Sequence, residues 1–313
     1  MPDARTASSR RPADAVVILH PLRRRAEAIA EISLAVGAAC GLEVRIERTT
    51  PQRPGAQQAR EAVAAGAQRV VAVGGDGTVR SVAAGLAGSG VPMGIIPTGT
   101  ANLFALNLAL RPRRGRRAPA ADLHRALTGS PSAHDVGRLR WRDAEGREHH
   151  AVFLMVAGLG EDAAVVAETT EALKARVGWP AYLLRGAARL SAADHLIEIR
   201  VDAGAWTRLP AWSVLIGNAP RIPAGVRVFP GARTDSGRLQ VLRAAPASAA
   251  DWAGIAWHGA TRRPQRAAGL HYEHAHRVEL ASSPLPLQAD GDVLGRAIRV
   301  EARVDPAALL VAC

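Results

Sequence analysis

Two glycine-containing segments of this 313-residue chain have the composition of loops that bind phosphate: Gly74-Gly-Asp-Gly-Thr78 and Pro97-Thr-Gly-Thr-Ala-Asn102. Each joins a predicted buried strand to a predicted helix, so free backbone N–H groups and the positive end of the helix dipole would face a bound anion. Glycine lets an anion approach the backbone closely. Because parallel strands end at one edge of a sheet, the two loops are predicted to enclose one polyphosphate. The alternative interpretations are a tight turn and a helix start capped by Thr100 or Asn102.

The chain before residue 130 alternates between apolar strands and helices, which indicates a parallel sheet with helices on both faces. The predicted strands are Ala15–Leu19, Leu42–Arg48, Arg69–Val73 and Met93–Ile96, and the predicted helices cover residues 23–40, 57–65, 79–86 and 120–127, with another after residue 102. Residues 1–14 are polar and arginine-rich, and we expect a disordered lead-in there. Residues 15–132 are therefore assigned to an α/β domain.

From Asp135 onward the pattern is mostly that of strands. The predicted strands are Val136–Trp141, Ala151–Val156, Leu196–Asp202, Ala211–Ile216, Leu239–Leu242, Arg277–Leu280 and Ile298–Val304, with helices only over residues 168–190 and 247–260. We place the domain boundary near residues 130–133. Residues 133–313 are therefore predicted to form a second, β-rich domain.

The charge balance favours an anionic partner, because 40 Lys and Arg residues against 28 Asp and Glu residues give a net charge of +12. Lys174 is the only lysine, so arginine side chains and backbone N–H groups must hold any phosphate, and a Walker-type loop is excluded. Aromatic residues make up 4% of the chain and are scattered, which argues against base-stacking platforms. Nucleic acid is not an expected partner.

Cys40 and Cys313, the two cysteines, have no metal-ligand or redox spacing, which favours a reducing compartment. No apolar stretch approaches the roughly 18 residues of a membrane span. We expect a cytoplasmic protein, peripheral at the inner membrane face if its basic segments 111–117 and 261–266 contact anionic lipid. Solvated loops are the alternative for both segments. Alternation on a strand end explains the histidines of residues 271–276 better than a metal site does.

Several motifs in order along the chain resemble the diacylglycerol kinase catalytic-domain family of bacterial lipid kinases. Besides the two glycine loops, they are Thr49-Thr50, Asp135-Val-Gly137, Ala157-Gly-Leu-Gly160 with Asp162-Ala163, Gly217-Asn218, Pro230-Gly-Ala232 with Asp235-Ser-Gly237, and Gln288-Ala-Asp-Gly-Asp292. Ordered matches are more specific than any single loop. The resemblance covers nearly the whole chain.

This resemblance implies an α/β plus β architecture, in which a phosphofructokinase- or NAD-kinase-like α/β domain with a parallel sheet precedes a β-sandwich-like domain. ATP, Mg²⁺ and the lipid would meet in an active-site cleft between them. Carried over by position, Gly74, Gly75, Asp76, Gly77 and Thr78 contact the phosphates, with Asp76 acting through the metal. By the same resemblance, the nucleotide pocket includes Thr50, Thr100 and Asn102. Asp292 is the implied catalytic base for the lipid hydroxyl, and its alternative interpretation is a hairpin turn.

The sequence departs from this pattern at four places. His20-Pro21 replaces an Asn-Pro, and Arg80-Ser81 replaces an Asn-Glu, so that Arg80 could face phosphate. Asp235-Ser-Gly237 replaces the Asp-Asp-Gly of an accessory magnesium loop, which leaves Asp235 as the metal ligand to expect there. Asp292 replaces a Glu, which keeps the carboxylate and shortens its reach by one methylene.

The sequence therefore predicts an ATP-dependent lipid kinase that transfers the γ-phosphoryl group to a lipid hydroxyl, with diacylglycerol as the favoured acceptor and phosphatidic acid as the product. Sphingoid, ceramide and polyprenol acceptors stay open, as do the acyl chain and the oligomeric state. The alternatives are an NAD kinase-like enzyme, because that related family shares the Gly74–Thr78 motif, and a non-catalytic nucleotide- or lipid-binding module.

Overall fold

A computed structural model describes residues 13–23, 25–110, 118–168, 195–221, 227–260 and 266–312. Its first part is built on four parallel strands: β1 (Ala15–Leu19), β2 (Val44–Arg48), β3 (Arg69–Gly74) and β4 (Met93–Pro97). They lie in the order β2-β1-β3-β4. Leu19 is in register with Val73, and Val73 with Ile96, so these strands end at one edge of the sheet. The turns that follow them are therefore neighbours.

Helices cover both faces of this parallel sheet. They are α1 (Ala26–Ala39), α2 (Ala56–Ala64), α3 (Asp76–Leu86), α4 (Leu103–Asn107) and α5 (Ala118–Thr128). Successive strand residues point to opposite faces. Val17 and Val71 accordingly pack with α1 and α5, whereas Val16 and Val70 pack with α2 and α3. Strands that are buried on both faces explain the uninterrupted apolar runs in the sequence.

The second part is almost entirely antiparallel. Its strands are β5 (Pro131–Asp143), β6 (Glu148–Phe153), β7 (Val156–Gly160), β8 (His195–Val201), β9 (Thr207–Ala211), β10 (Ser213–Gly217), β11 (Leu239–Ala244), β12 (Leu270–Ala275), β13 (Arg277–Ala289) and β14 (Asp292–Ala312), and its described helices are α6 (Glu161–Glu168) and α7 (Ala249–Ala260). The strands follow the order β12-β11-β10-β7-β13-β14. In addition, β5 pairs with β14 and carries β6 on its other side, and β8 pairs with β13 and carries β9 on its other side. A second buried core lies among these strands.

Strand β14 links the two parts, because its last residues return to the parallel sheet and Val311 pairs with Met93 of β4. A buried carboxylate holds the segment of β14 between Asp305 and Leu309, where the pairing with β5 shifts its register. Oδ1 of Asp135 accepts the N–H of Ala307 at 2.9 Å, and Oδ2 accepts the N–H of Gly237 at 2.6 Å. The division at residue 132 stays a prediction, and the predicted boundary coincides with the start of β5.

Most predicted elements are present, with two corrections among the strands. The predicted strand Ala151–Val156 is wrong as one element: β6 ends at Phe153 and β7 begins at Val156. The interruption has a physical cause, because the N–H groups of Leu154 and Met155 donate to the carboxylate of Asp290. The predicted strand Ala211–Ile216 is likewise divided at Trp212, where the chain passes from β9 to β10.

Four segments for which the sequence makes predictions lie largely outside the described residues: 1–14, 111–117, 168–190 and 261–266. The helix predicted over residues 168–190 overlaps the described chain only at Glu168, which is the last residue of α6. The basic segment 111–117 and all but the last residue of the segment 261–266 are also outside it. Within the described residues, no helix is both long enough and apolar enough to cross a membrane.

Candidate functional site

A cleft of about 540 Å³ opens at the edge of the sheet where the parallel strands end. One wall consists of the turn after β1, the segment after β2 and the first two turns of α3. The other wall consists of Ala151 and Val152 of β6 together with Asp292 and Leu294 at the start of β14. The cleft therefore lies between the two parts of the chain, as the family resemblance implies.

The two glycine loops touch each other beside this cleft. A methyl group placed on Gly99 would lie only 2.6 Å from the Cα atom of Gly75, and one placed on Gly74 would lie 2.4 Å from Cβ of Thr78. Both distances are shorter than carbon atoms tolerate. Glycine at positions 74 and 99 is thus required by close approach, and the two loops form one surface.

Asp76 fastens the two loops together. Its Oδ1 accepts the N–H of Leu103 at 2.6 Å and that of Phe104 at 3.4 Å, so it caps helix α4 from the neighbouring loop. Burial raises the pKa of Asp76, although these backbone N–H groups favour its charged form. The alternative of a cap by Thr100 or Asn102 holds only for position: Asn102 is the N-cap residue of α4, but its side chain makes no capping hydrogen bond.

Asn102 instead closes its own loop. Its side-chain amide donates to the carbonyl of Gly99 at 2.6 Å, and its Oδ1 accepts the N–H of the same residue at 2.9 Å. Asn102 has a positive φ of 48°, a conformation that asparagine tolerates better than most residues. This arrangement shapes the second loop for the contact with Gly75.

The other predicted nucleotide-binding residues differ in their placement. Thr50, Gly77 and Thr78 line the cleft. Thr50 also closes the turn after β2, because its Oγ1 accepts the N–H of Arg53 at 3.1 Å. Thr100 is exposed on the second loop. The roles of these residues in nucleotide binding stay predictions.

Arg23 is a cleft residue that the sequence analysis missed. Its Nη2 lies 3.1 Å from the position that a Cβ atom on Gly75 would occupy, which places a cation directly above the first glycine loop. The signal that could have identified Arg23 is its place just after β1, since that strand ends at the same edge as β3. His20, in the same turn, accepts the N–H of Leu22 on Nδ1 at 3.3 Å.

The segment Asp290–Asp292 is a hairpin turn between β13 and β14, and it also presents a carboxylate to the cleft. Asp290 is half-buried with a φ of 50°, and its carboxylate accepts the N–H groups of Leu154, Met155 and Val156 at 2.8–2.9 Å. Burial raises the pKa of Asp290, while Arg80 and these N–H groups act in the opposite direction. The side chain of Asp292 is 58% exposed and lines the cleft.

Arg80 connects the two walls. Its Nη2 donates to Oδ2 of Asp292, and its Nη1 donates to the carbonyl of Ala289 at 2.7 Å. Arg80 thus contacts the predicted base, and its expected contact with phosphate stays a prediction. Gln288 supports the turn from below, because its Oε1 accepts the N–H of Gly291 at 3.0 Å and its Nε2 donates to the buried Asp162 at 3.2 Å.

Asp235 lies away from the cleft lining. Its two carboxylate oxygens accept the Nε and Nη2 groups of Arg233 at 3.0 Å each. Among the residues that the structure describes, no group of three or more His, Cys, Asp or Glu side chains could hold a metal ion. Metal binding by Asp235 and by Asp76 stays a prediction.

Both parts of the chain match profiles of known protein families. The family profile described as "Diacylglycerol kinase catalytic domain" matches residues 14–139, and the profile described as "YegS C-terminal NAD kinase beta sandwich-like domain" matches residues 154–313. A relative from Pseudomonas fluorescens, named "Probable lipid kinase YegS-like", is 31% identical over 233 residues, which cover 72% of this chain and 71% of that one. The resemblance stated from the motifs is confirmed.

A second relative with the same name, from Citrobacter koseri, is 31% identical over 206 residues, and the chain spans 64% of its length. Among solved structures, a diacylglycerol kinase from Bacillus anthracis has a TM-score of 0.65 at 15% identity, with 96% of each chain covered. Yeast NADH kinase complexed with NADH has a TM-score of 0.50 at 14% identity, with 96% of this chain and 82% of that one covered. These structures confirm the predicted fold class.

Proposed function

We propose, from the premise that the chain belongs to the YegS-like family with a diacylglycerol kinase catalytic domain, that it transfers the γ-phosphoryl group of ATP to the hydroxyl group of a lipid. One observation carries the proposal: Gly77 and Thr78 of the phosphate loop and the carboxylate of Asp292 line the same cleft from opposite walls. Diacylglycerol is the acceptor that we propose first, and phosphatidic acid would be its product.

The triphosphate of ATP would lie against the first glycine loop. The N-terminus of α3 offers free N–H groups there, and a methyl group added to Gly77 would meet nothing within 4 Å, so the backbone is open to a ligand. Arg23 contributes a positive charge above Gly75. Together these groups would hold and orient the phosphates, which supplies most of the catalysis in phosphoryl transfer.

Mg²⁺ is expected to bind together with the nucleotide. It commonly binds through one or two carboxylates and the substrate phosphates, and Oδ1 of Asp76 is already engaged by two backbone N–H groups. The described residues thus suit a metal ion that is held mainly by the nucleotide phosphates, and they suit a site built from protein side chains less well. When bound, the ion would neutralise charge on the transferred group.

At the other wall, Asp292 would act as the general base. Its carboxylate accepts the proton of the lipid hydroxyl as that oxygen forms a bond to the γ-phosphorus atom. The bond between this phosphorus atom and the β–γ bridging oxygen breaks, and ADP leaves with that oxygen. The proton on Asp292 then passes to solvent, which is accessible because the side chain is more than half exposed.

The test is phosphate transfer by the purified chain. Wild type is incubated with Mg²⁺, γ-labelled ATP and separate acceptors: diacylglycerol, ceramide, a sphingoid base, a polyprenol and NAD. We expect labelled lipid, with diacylglycerol the best acceptor, and loss of transfer when the metal is chelated. Label in NAD alone would favour the NAD kinase alternative, and the absence of any labelled product from wild type would reject the kinase proposal.

Asp292→Asn tests the assigned base. Removing a general base costs about 10²- to 10⁴-fold in turnover. The matched control is Arg140→Gln, because Arg140 pairs with Glu148 at 2.7 Å on exposed parts of β5 and β6, outside the cleft lining. Wild-type turnover in the Asp292→Asn enzyme would contradict the role of the carboxylate.

A further inference from the structure

Arg80 lies on the face of α3 that borders the cleft. Gly77, Arg80, Ser81 and Ala84 all line it, and their spacing of three, four and seven residues places them on one side of the helix. Three residues correspond to about 4.5 Å along a helix axis. The Cα atom of Arg80 is therefore about one helical turn from Gly77, where the phosphate loop is open to a ligand.

The guanidinium of Arg80 makes two contacts with the opposite wall. Nη2 donates to Asp292, and Nη1 donates to the carbonyl of Ala289, which precedes the same turn. The side chain of Arg80 is 17% exposed, whereas that of Asp292 is 58% exposed. The planar guanidinium of an arginine holds two acceptors in a fixed geometry. Here the acceptors are the carbonyl of Ala289 and the carboxylate of Asp292, so Arg80 orients that exposed carboxylate.

We infer that Arg80 is a positioning residue, which fixes the carboxylate of Asp292 relative to the phosphate loop. The inference rests on the proposed function. It goes beyond the proposed function because it states what sets the distance between the proposed base and the phosphate loop. That distance is set by the contact between Arg80 and Asp292, which lie 212 positions apart in the sequence. The pairing engages Oδ2 of Asp292.

A split between ATP binding and turnover tests this role. In Arg80→Gln, turnover is expected to fall about 10- to 100-fold, because a displacement of the order of 1 Å at the reacting groups has effects of that size. The ATP dissociation constant, measured without lipid by calorimetry, should change by less than about threefold. Arg80→Lys keeps the charge but lacks the fork, so its turnover should be intermediate.

A double-mutant cycle connects the effect to Asp292. If Arg80 acts through the base, Arg80→Gln in the Asp292→Asn background should lower turnover by less than about threefold. Arg140→Gln is the control for the loss of an ion pair outside the cleft, and thermal unfolding shows whether each variant is folded.

The outcomes separate the inference from the proposed function. No transfer by wild type overturns both. If wild type is active, two results overturn the inference alone. The first is wild-type turnover in Arg80→Gln. The second is a double variant whose loss of turnover equals the product of the losses in Arg80→Gln and Asp292→Asn. A weakened ATP dissociation constant at unchanged turnover would assign Arg80 to phosphate binding and also overturns it. If Arg80→Gln fails to fold, the folded Arg80→Lys variant decides by the same split.

Discussion

Gly99→Ala should push the two glycine loops apart and damage nucleotide binding. The added methyl group would lie 2.6 Å from the Cα atom of Gly75 and 3.0 Å from Oδ1 of Asn102. Carbon atoms approach to about 3.5–4.0 Å, so the second loop must move by roughly 1 Å. The opposing atom belongs to the backbone, and side-chain rotation cannot relieve the contact. Overpacking of this kind costs about 1–3 kcal/mol.

The second loop moves where it contacts the first glycine loop, so turnover should fall as well as stability. A shift of about 1 Å predicts up to about 10²-fold lower turnover together with weaker ATP binding. Steady-state transfer, calorimetric titration with ATP and thermal unfolding measure the three quantities. The control is Gly254→Ala in α7, where an added methyl group meets nothing within 4 Å. Wild-type ATP affinity and unfolding temperature in Gly99→Ala would refute the contact between the loops.

Two further predictions concern the carboxylates of Asp290 and Asp162. Asp290 accepts three N–H groups, and in Asp290→Asn at least one of them would lack an acceptor. The free energy of unfolding, measured with urea, should fall by about 1–3 kcal/mol. An unchanged unfolding midpoint would contradict this anchoring role. Burial raises the pKa of Asp162 from 3.8 to about 6, so its neutral form stabilises the folded state at low pH and this contribution is lost as the pH rises from about 4 to about 6. Asp162→Asn stays neutral and should gain stability relative to wild type by about 3 kcal/mol between about pH 4 and pH 7; parallel stability curves would contradict the assignment.

The sequence was sufficient for the elements whose signal is local. β1 has the predicted bounds, Ala15–Leu19, because an uninterrupted apolar run followed by turn residues describes a strand buried on both faces. β3 likewise continues directly into the glycine loop. The edge at which both strands end follows from parallel pairing alone, and the cleft was therefore predictable in outline.

Features that depend on distant residues were not predictable from local patterns. The break between β6 and β7 is caused by Asp290, whose carboxylate binds N–H groups more than 130 residues earlier in the chain. The cap of α4 comes from Asp76, which lies 27 residues before Leu103. The partner of Arg80 lies 212 residues away. In each case the polar group has a partner that only the tertiary fold brings close.

Strand β14 explains how the proposed base keeps its position relative to the nucleotide loops. Asp292 is its first residue, and near its other end Val311 pairs with β4, the strand that leads into the second glycine loop. Between these points β14 is hydrogen-bonded to β5 and β13. Moving Asp292 relative to the phosphate loop would require bending this paired strand. Arg80 adds a contact at the first residue of β14, at the opposite end of the strand from Val311, which pairs with β4. A single guanidinium can determine the final placement of the carboxylate there.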